Sequence, residues 1–296
     1  MAKRSVMLTK VRKAVIPAAG LGTRLLPVTK AVPKELLLVV DKPAIQYVVE
    51  EAQATGIEEI IFVLSSKKEA VSHYFAPDPD LAGWTAGQGK GGLFDGLERL
   101  VQRLKITSVY QDQPFGLGHA VLCAREAVGN EPFMVMLPDD LGEAEIPLAA
   151  QLLRVYEKYG TGAVALERIP RQEVQRYGII QGQEKEERVY EIYDLVEKPS
   201  PDTAPSDLAV IGRYILPPEI FPLLAEVQPG AGGEIQLTDA LRELRKQTKL
   251  FGCEFVGRRH DAGTLPGLLE TALRLAMKNP QWQPRLRSLL QELLSD

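Results

Sequence analysis

Directly behind a short apolar run, Lys13 to Pro17, the sequence reads AAGLGTRLLPVTKAVPKELL, a set of residues suited to holding a polyphosphate. Gly20 and Gly22 fall in the turn, where the missing Cβ lets backbone N–H groups approach an anion closely. Arg24, Lys30 and Lys34 follow within one stretch that Pro27 and Pro33 stiffen, and a triphosphate needs such a concentration of positive charge. The spacing matches neither GxGxxG nor GxxxxGK[ST], so hydride transfer and P-loop hydrolysis lose support. Two glycines in a tight turn with solvated cations are the plain alternative. The adjacent Thr23-Arg24 and Pro33-Lys34-Glu35 weigh against it.

Acidic chemistry is expected at Asp139, which closes the apolar segment Phe133 to Leu137. In an open α/β sheet the carboxyl ends of the strands are where ligands bind. A carboxylate there can hold Mg²⁺, which takes one or two carboxylates and fills its shell with phosphate oxygens and water. A second acid is then needed from elsewhere, and Asp261, after the predicted strand Leu250 to Val256, is the candidate. Capping or turn formation would also explain Asp139-Asp140, and a turn would explain Asp261 before Gly263. Glu197 and Lys198 set an acid beside a base. Regular strand geometry sends neighbours to opposite faces, but Pro199 can end that regularity. A surface charge pair is the alternative there.

Such groups must be positioned by a sheet. Strand-like runs at Lys13–Pro17, Glu59–Leu64, Ile106–Gln111 and Phe133–Leu137 alternate with helical patterns at Ile45–Thr55 and Leu93–Leu104, as in right-handed βαβ units of a parallel sheet. Ala76 to Gly92 is rich in Gly and Pro and is expected to be a weakly ordered surface loop. From Gly162 shorter strands follow, Ala163–Glu167, Gly178–Gly182, Val189–Glu197 and Ala209–Leu216, before helices return at Pro217 and Glu234. These strands form a second, substrate-facing part of the sheet. Leu265–Met277 and Pro284–Leu294 read as helices divided by Asn279-Pro280, packing outside the sheet or on another subunit.

Composition narrows the partners. The 296 residues carry 35 Lys and Arg against 39 Asp and Glu, a net charge of -4, so no global positive field exists to hold a nucleic acid. No apolar stretch reaches the roughly 18 residues of a membrane helix, and Lys10, Arg12 and Lys13 interrupt any secretory core near the start. A cytoplasmic protein is expected. Cys123 and Cys253 lack zinc spacing and read as buried thiols; His73, His119 and His260 are scattered. His119 reads as a packing or hydrogen-bonding residue, because a phosphate oxygen is already a competent nucleophile.

Ala18 to Pro43, AAGLGTRLLPVTKAVPKELLLVVDKP, resembles the nucleotide-binding signature of bacterial UTP:glucose-1-phosphate uridylyltransferases. The likeness continues through GLGHAVL (Gly116–Leu122), LPDD (Leu137–Asp140), RYGII (Arg176–Ile180), VEKP (Val196–Pro199) and GGEIQLTDA (Gly232–Ala240), most of the chain. The resemblance implies a Rossmann-like α/β fold of the nucleotide-diphospho-sugar transferase type, with a mixed, mostly parallel central sheet flanked by helices. It implies a catalytic domain over 1–264, whose nucleotide-binding part is about 10–145 and sugar-phosphate part about 146–264, and a C-terminal helical segment over 265–296.

The same resemblance implies Mg²⁺-dependent formation of UDP-glucose and pyrophosphate from UTP and glucose 1-phosphate. It assigns Arg24, Lys34 and Lys198 to catalysis and Asp139 and Asp261 to the metal. Ala19, Gly20, Gly22, Gln111 and Gly116 go to the nucleotide, with Gln111 on the base, and Gly178, Glu197 and Lys198 to the sugar phosphate. Glu234, Gln236 and Asp239 recur in the matching helix, Asp239 with an equally good structural role. Self-association into a homo-oligomer is expected. The alternatives are a thymidylyl- or other nucleotidyltransferase on a hexose 1-phosphate, or a non-catalytic nucleotide-sugar sensor. Leu38, Asp140 and the short segment from Tyr74 to Ile106 depart from the family pattern and bear on loops and assembly more than on chemistry.

Overall fold

The computed structural model describes residues 8–90, 92, 95–230 and 233–295. Residues 1–7 of the basic start, Gly91 of the glycine-rich stretch, Leu93 of the predicted helix and Gly232 of the GGEIQLTDA block lie outside them.

A nine-stranded sheet runs through the molecule in the order β5 (Lys105–Tyr110), β4 (Glu59–Leu64), β1 (Lys13–Pro17), β6 (Phe133–Met136), β11 (Leu208–Leu216), β8 (Ala163–Arg168), β12 (Leu250–Glu254), β10 (Val189–Glu197) and β9 (Gly178–Glu186). Following the pairings, seven strands point one way and only β10 and β11 run against them. The sheet is therefore mixed, as expected, with most strands in one direction although its neighbour pairings divide into four parallel and four antiparallel. Its first half is the parallel β5-β4-β1-β6 set, whose carboxyl ends share one edge.

Alternation along these strands divides the core into two layers. Ala14, Ile16, Ile60, Phe62, Met134 and Met136 face one side, with α1 (Ala44–Ala54) and α7 (Leu148–Tyr159). Val15, Ile61, Val63, Phe133 and Val135 face the other, with α5 (Leu117–Cys123), α8 (Ile220–Glu226) and α9 (Leu237–Gln247). Phe133 stacks on Phe221 with centroids 5.1 Å apart. Truncating either ring to alanine would cost about 3–5 kcal/mol. Strands buried on both faces explain why the sequence shows continuous apolar runs in place of clean alternation.

Ala76 to Gly92 is not an unstructured loop: α3 occupies Pro79–Gly87. Asp78 caps it by accepting a hydrogen bond from the Leu81 N–H, Pro79 supplies a preset first turn, and Thr85 is buried. Those local start signals outweigh the glycines behind them. The helix expected over Leu93–Leu104 is described as α4 over Asp95–Gln102.

Two short pairings shape the sheet edge. β7 (Asp140–Glu143) pairs antiparallel with β13 (Arg258–Asp261), setting Asp140 opposite Asp261. β2 (Leu38–Val39) pairs with β3 (Lys42–Pro43) and leaves Leu38 exposed. The chain ends in α10 (Leu265–Ala276), packed on β13 and β2, and α11 (Gln283–Leu293), none of whose residues is buried. Among the described residues no helix is long and apolar enough to cross a membrane.

Candidate active site

A cavity of about 730 Å³ opens at the carboxyl edge of the parallel strands, and all twelve residues assigned to the site from the sequence line it. The first group comes from the turn after β1. Ala18 N–H bonds the Val63 carbonyl at 2.8 Å, extending the strand pairing to the edge of the cavity. Gly22 then adopts φ +66°, and a Cβ there would sit 3.2 Å from the Thr29 methyl, so glycine relieves both backbone and packing strain. Nothing crowds Gly20, whose open face is room for a ligand. Leu25 is buried and pins the turn, leaving Arg24 beside it exposed and lining the cavity. Lys30, which the sequence groups with Arg24 and Lys34, ends a second short turn and does not line the cavity.

Lys34 reaches Asp139 at 2.5 Å. Burial alone would depress the Lys34 ammonium, but Asp139 and Glu35 outweigh it and push it up. Burial likewise would raise the Asp139 carboxyl, and Lys34, with help from Arg24, holds it below the ordinary carboxylate value instead. Both groups are charged at neutral pH. Behind Lys34, the buried Glu35 carboxylate takes two hydrogen bonds from Lys68, at 2.8 and 3.0 Å, and this fixes the turn that aims Lys34.

Asp139 and Asp261 are brought together by the β7–β13 pairing, with the Ala262 N–H on the Asp139 carbonyl at 2.8 Å. A Cβ added at Gly263 would lie 2.7 Å from Asp139 Oδ2 and 3.0 Å from Asp261 Oδ1, so this glycine keeps open the space between two carboxylates. Among the described residues no cluster of three or more His, Cys, Asp or Glu is arranged for a metal. A two-carboxylate site fits a hard divalent cation that takes its other ligands from phosphate and water. Asp140 points elsewhere, to Arg259 at 2.7 Å and the Gly212 N–H at 2.9 Å.

Glu197 and Lys198 both line the cavity despite being neighbours, because Lys198 takes φ +46° and leaves the strand's alternation. Its N–H bonds the Tyr177 carbonyl at 2.9 Å, and its ammonium lies 3.1 Å from Glu197. Thr238 donates to Glu197 at 2.7 Å. At Gly178 a Cβ would be 2.9 Å from that hydroxyl and 3.2 Å from Glu197 Oε2. Gly116 is required too: at φ +93° its Cβ would be 2.8 Å from the Glu234 Cβ, where GLGHAVL packs against EIQL.

Gln111 is buried, its Nε2 donating to the Gly116 carbonyl at 3.1 Å and facing His119 Nδ1 at 2.9 Å. His119 is thus a hydrogen-bonding residue, as expected. Gln236 donates to Glu234 at 2.9 Å at the cavity wall, whereas Asp239 lies outside it.

Several contributors were not singled out in the sequence, Lys68 behind Lys34 among them. Arg259 bonds Asp140, Glu167 and Tyr177, and these partners hold its guanidinium protonated against the cost of burial. A strand over 258–261 would have put Arg259 on the same face as Asp261. Arg213 is a lone cation in the otherwise apolar β11 and the clearest signal among them; Thr238 lies in the GGEIQLTDA block, and Glu51 carries no signal of its own.

The parallel sheet, the glycine turn at its carboxyl edge and a cavity holding one carboxylate pair and several cations define an α/β transferase of phosphorylated ligands. The sequence model of the nucleotidyl transferase family matches residues 13–278. UTP–glucose-1-phosphate uridylyltransferase of Bacillus subtilis is 46% identical over 286 residues, 97% of this chain and 98% of that protein. A UDP-glucose pyrophosphorylase solved with UDP-glucose superposes with a TM-score of 0.85 at 42% identity, covering 91% of this chain and all of that one. The UTP-bound enzyme of Acinetobacter baumannii gives 0.88 at 36%, covering 96% and 100%. The chain belongs to the nucleotidyl transferase family.

Proposed function

We propose that this chain transfers the uridylyl group of UTP to glucose 1-phosphate, forming UDP-glucose and pyrophosphate. One observation carries the reading: a single cavity gathers the phosphate turn with Arg24 and Lys34, the Asp139–Asp261 pair and the Glu197–Lys198 step. It does so in a chain similar over nearly its full length to enzymes named for that reaction.

An oxygen of the sugar phosphate attacks the α-phosphorus in line. That P–O bond forms as the bond to the bridging oxygen breaks, and pyrophosphate leaves with the electron pair. A phosphate anion needs neither a protein nucleophile nor a general base. The protein positions two anions that repel each other: Arg24 and Lys34 on the triphosphate, Lys198 on the sugar phosphate, Glu197 and the open backbone at Gly178 on the sugar. The N–H groups of the turn from Ala19 to Gly22 and the backbone at Gly116 receive the nucleotide. Asp139 and Asp261 would hold Mg²⁺, which supplies further neutralisation of phosphate charge.

Gln111 supports recognition of the base in a narrower way than its type suggests. A carbonyl only accepts, so the atom facing Gly116 O is Nε2, and with Nε2 engaged by Gly116 and His119 the group of the amide left for a ligand is its acceptor, Oε1. An acceptor suits the imide N–H of uracil or thymine and disfavours cytosine, whose ring nitrogen there is itself an acceptor.

We also propose the division into a nucleotide part, about 10–145, and a sugar-phosphate part, about 146–264. The terminal segment 265–296 leaves Leu265, Leu269, Leu289 and Leu293 exposed, which supports self-association; a chain ending at 264 should sediment as a smaller species.

The test is pyrophosphate release with glucose 1-phosphate, Mg²⁺ and each of UTP, dTTP, ATP, GTP and CTP. UTP is expected to react fastest, with the reaction abolished by EDTA. A preference for another triphosphate moves the chain to a sister activity, and release with none overturns the reading. Lys198→Ala and Lys34→Ala should each lower turnover about 10²-fold or more.

A further inference from the structure

The two carboxylates that would hold the divalent cation are already engaged. Lys34 donates to Asp139 Oδ2 at 2.5 Å, and Arg176 Nη2 donates to Asp261 Oδ2 at 3.1 Å. The two cations come from separate elements, Lys34 from the turns after β1 and Arg176 from the end of the 3-10 turn Arg171–Arg176 that precedes β9. We propose that Lys34 and Arg176 are built-in counter-cations that occupy the metal carboxylates until phosphate draws them away, so that the nucleotide-free protein binds the divalent cation weakly. The inference rests on the reading of Asp139 and Asp261 as the metal carboxylates.

A dication entering the space beside Gly263 meets two carboxylates already neutralised, and two positive charges a few ångströms away oppose it. Phosphate oxygens are strong acceptors for ammonium and guanidinium groups. A triphosphate arriving at the turn after β1 gives Lys34 such a partner and frees Asp139 for the metal. Metal and nucleotide then favour each other's binding, and by linkage the coupling is reciprocal.

The surroundings separate cations that can move from those that cannot. Arg176 is half exposed, and Glu173 in its own turn, 3.2 Å away, is a second partner that keeps it when Asp261 is released. Arg259 is held by Asp140, Glu167 and Tyr177 and is nearly buried, so it has no freedom to exchange. The carboxylates are otherwise prepared: Asp261 Oδ1 is set by the Gly263 N–H at 2.9 Å, and Gly263 leaves the gap between them clear.

The test uses the metal alone, Mn²⁺ followed by electron paramagnetic resonance on the full-length, nucleotide-free protein. Arg176→Gln should tighten Mn²⁺ binding by roughly 1.5- to 5-fold, the range of an exposed ion pair. Lys34→Gln, at the less exposed pair, should tighten it about tenfold or more. Adding Asp139→Asn to Arg176→Gln should abolish the gain. Affinity unchanged or weakened in both single variants, while Asp139→Asn still removes Mn²⁺ binding, overturns the counter-cation role and leaves the metal assignment standing. A gain that survives Asp139→Asn and Asp261→Asn overturns the metal assignment and the inference with it.

Discussion

Arg213 Nη2 lies 2.6 Å from Glu51 Oε2, and this buried pair grips the turn that presents Asp139. The same guanidinium donates to the carbonyls of Leu137 at 3.2 Å, Gly212 at 3.1 Å and Asp140 at 2.8 Å, bracketing Pro138-Asp139 from both sides. Glu51 also accepts the Ala149 N–H at the start of α7, so the clamp is tied to two helices. A lysine cannot span these partners, because an ammonium is a point charge where the guanidinium is a planar fork. Arg213→Lys should therefore raise the Mg²⁺ concentration for half-maximal turnover several-fold and lower kcat about tenfold or more, as expected for a misplaced reacting group. The sugar-phosphate KM should change little. A variant with reduced thermal stability but unaltered Mg²⁺ dependence would show that Arg213 is structural only.

Gly178→Ala should act on the sugar phosphate and spare the metal. The new methyl would fall 2.9 Å from the Thr238 hydroxyl and 3.2 Å from Glu197 Oε2, so the hydrogen bond that orients Glu197 has to give. Steady-state kinetics should show the KM for glucose 1-phosphate up by about tenfold, the worth of roughly one good hydrogen bond to a charged group, with the KM for UTP near its original value. Equal rises in both would place Gly178 outside the sugar site.

Which parts of this architecture can be read from sequence follows from where the information lies. Lys13–Pro17, Glu59–Leu64 and Val189–Glu197 were legible to the residue, because apolar or β-rich runs between turn signals leave little choice. The β7–β13 ribbon was not, since DLGE and RRHD are short, charged and meaningful only once paired across the chain. Helix α7 carries a readable amphipathic pattern, with Leu148, Leu152, Val155 and Tyr156 on its buried face. The site divides in the same way. Gly22, Lys34, Asp139 and Lys198 sit in contiguous motifs, whereas Arg213 and Arg259 act through partners more than seventy residues away, as with Leu137 and Asp140, a relation the linear sequence does not contain. Cys123, expected to be buried, is only partly so.

Cys253 should be inert in the native protein. Burial pushes its thiol up to about 11, with Arg188 too weak a counterweight, so almost none is thiolate at pH 8. Iodoacetamide at pH 8 should leave Cys253 unmodified in intact protein by mass spectrometry and label it once the chain is unfolded. Rapid native labelling would mean that β12 opens away from its neighbours β8 and β10.

Lys68 and Glu35 give a case in which stability and activity should part. Burial pushes the Glu35 carboxyl up and the Lys68 ammonium down, each shift only partly offset by the other group, so the pair is held against a desolvation cost. Removing one partner strands a buried charge: Lys68→Met should cost about 3–5 kcal/mol. Replacing both by apolar side chains removes that penalty, and Lys68→Met with Glu35→Leu should recover most of the lost Tm. Turnover should not follow. Glu35 is the residue beside Lys34, and its bidentate contact with Lys68 fixes the turn from which Lys34 reaches the cavity. Without that anchor Lys34 samples more orientations and spends less time on the triphosphate, so kcat should stay depressed in the stable double variant. Recovery of kcat together with Tm would show that the pair supports the fold alone and that Lys34 finds its place without it.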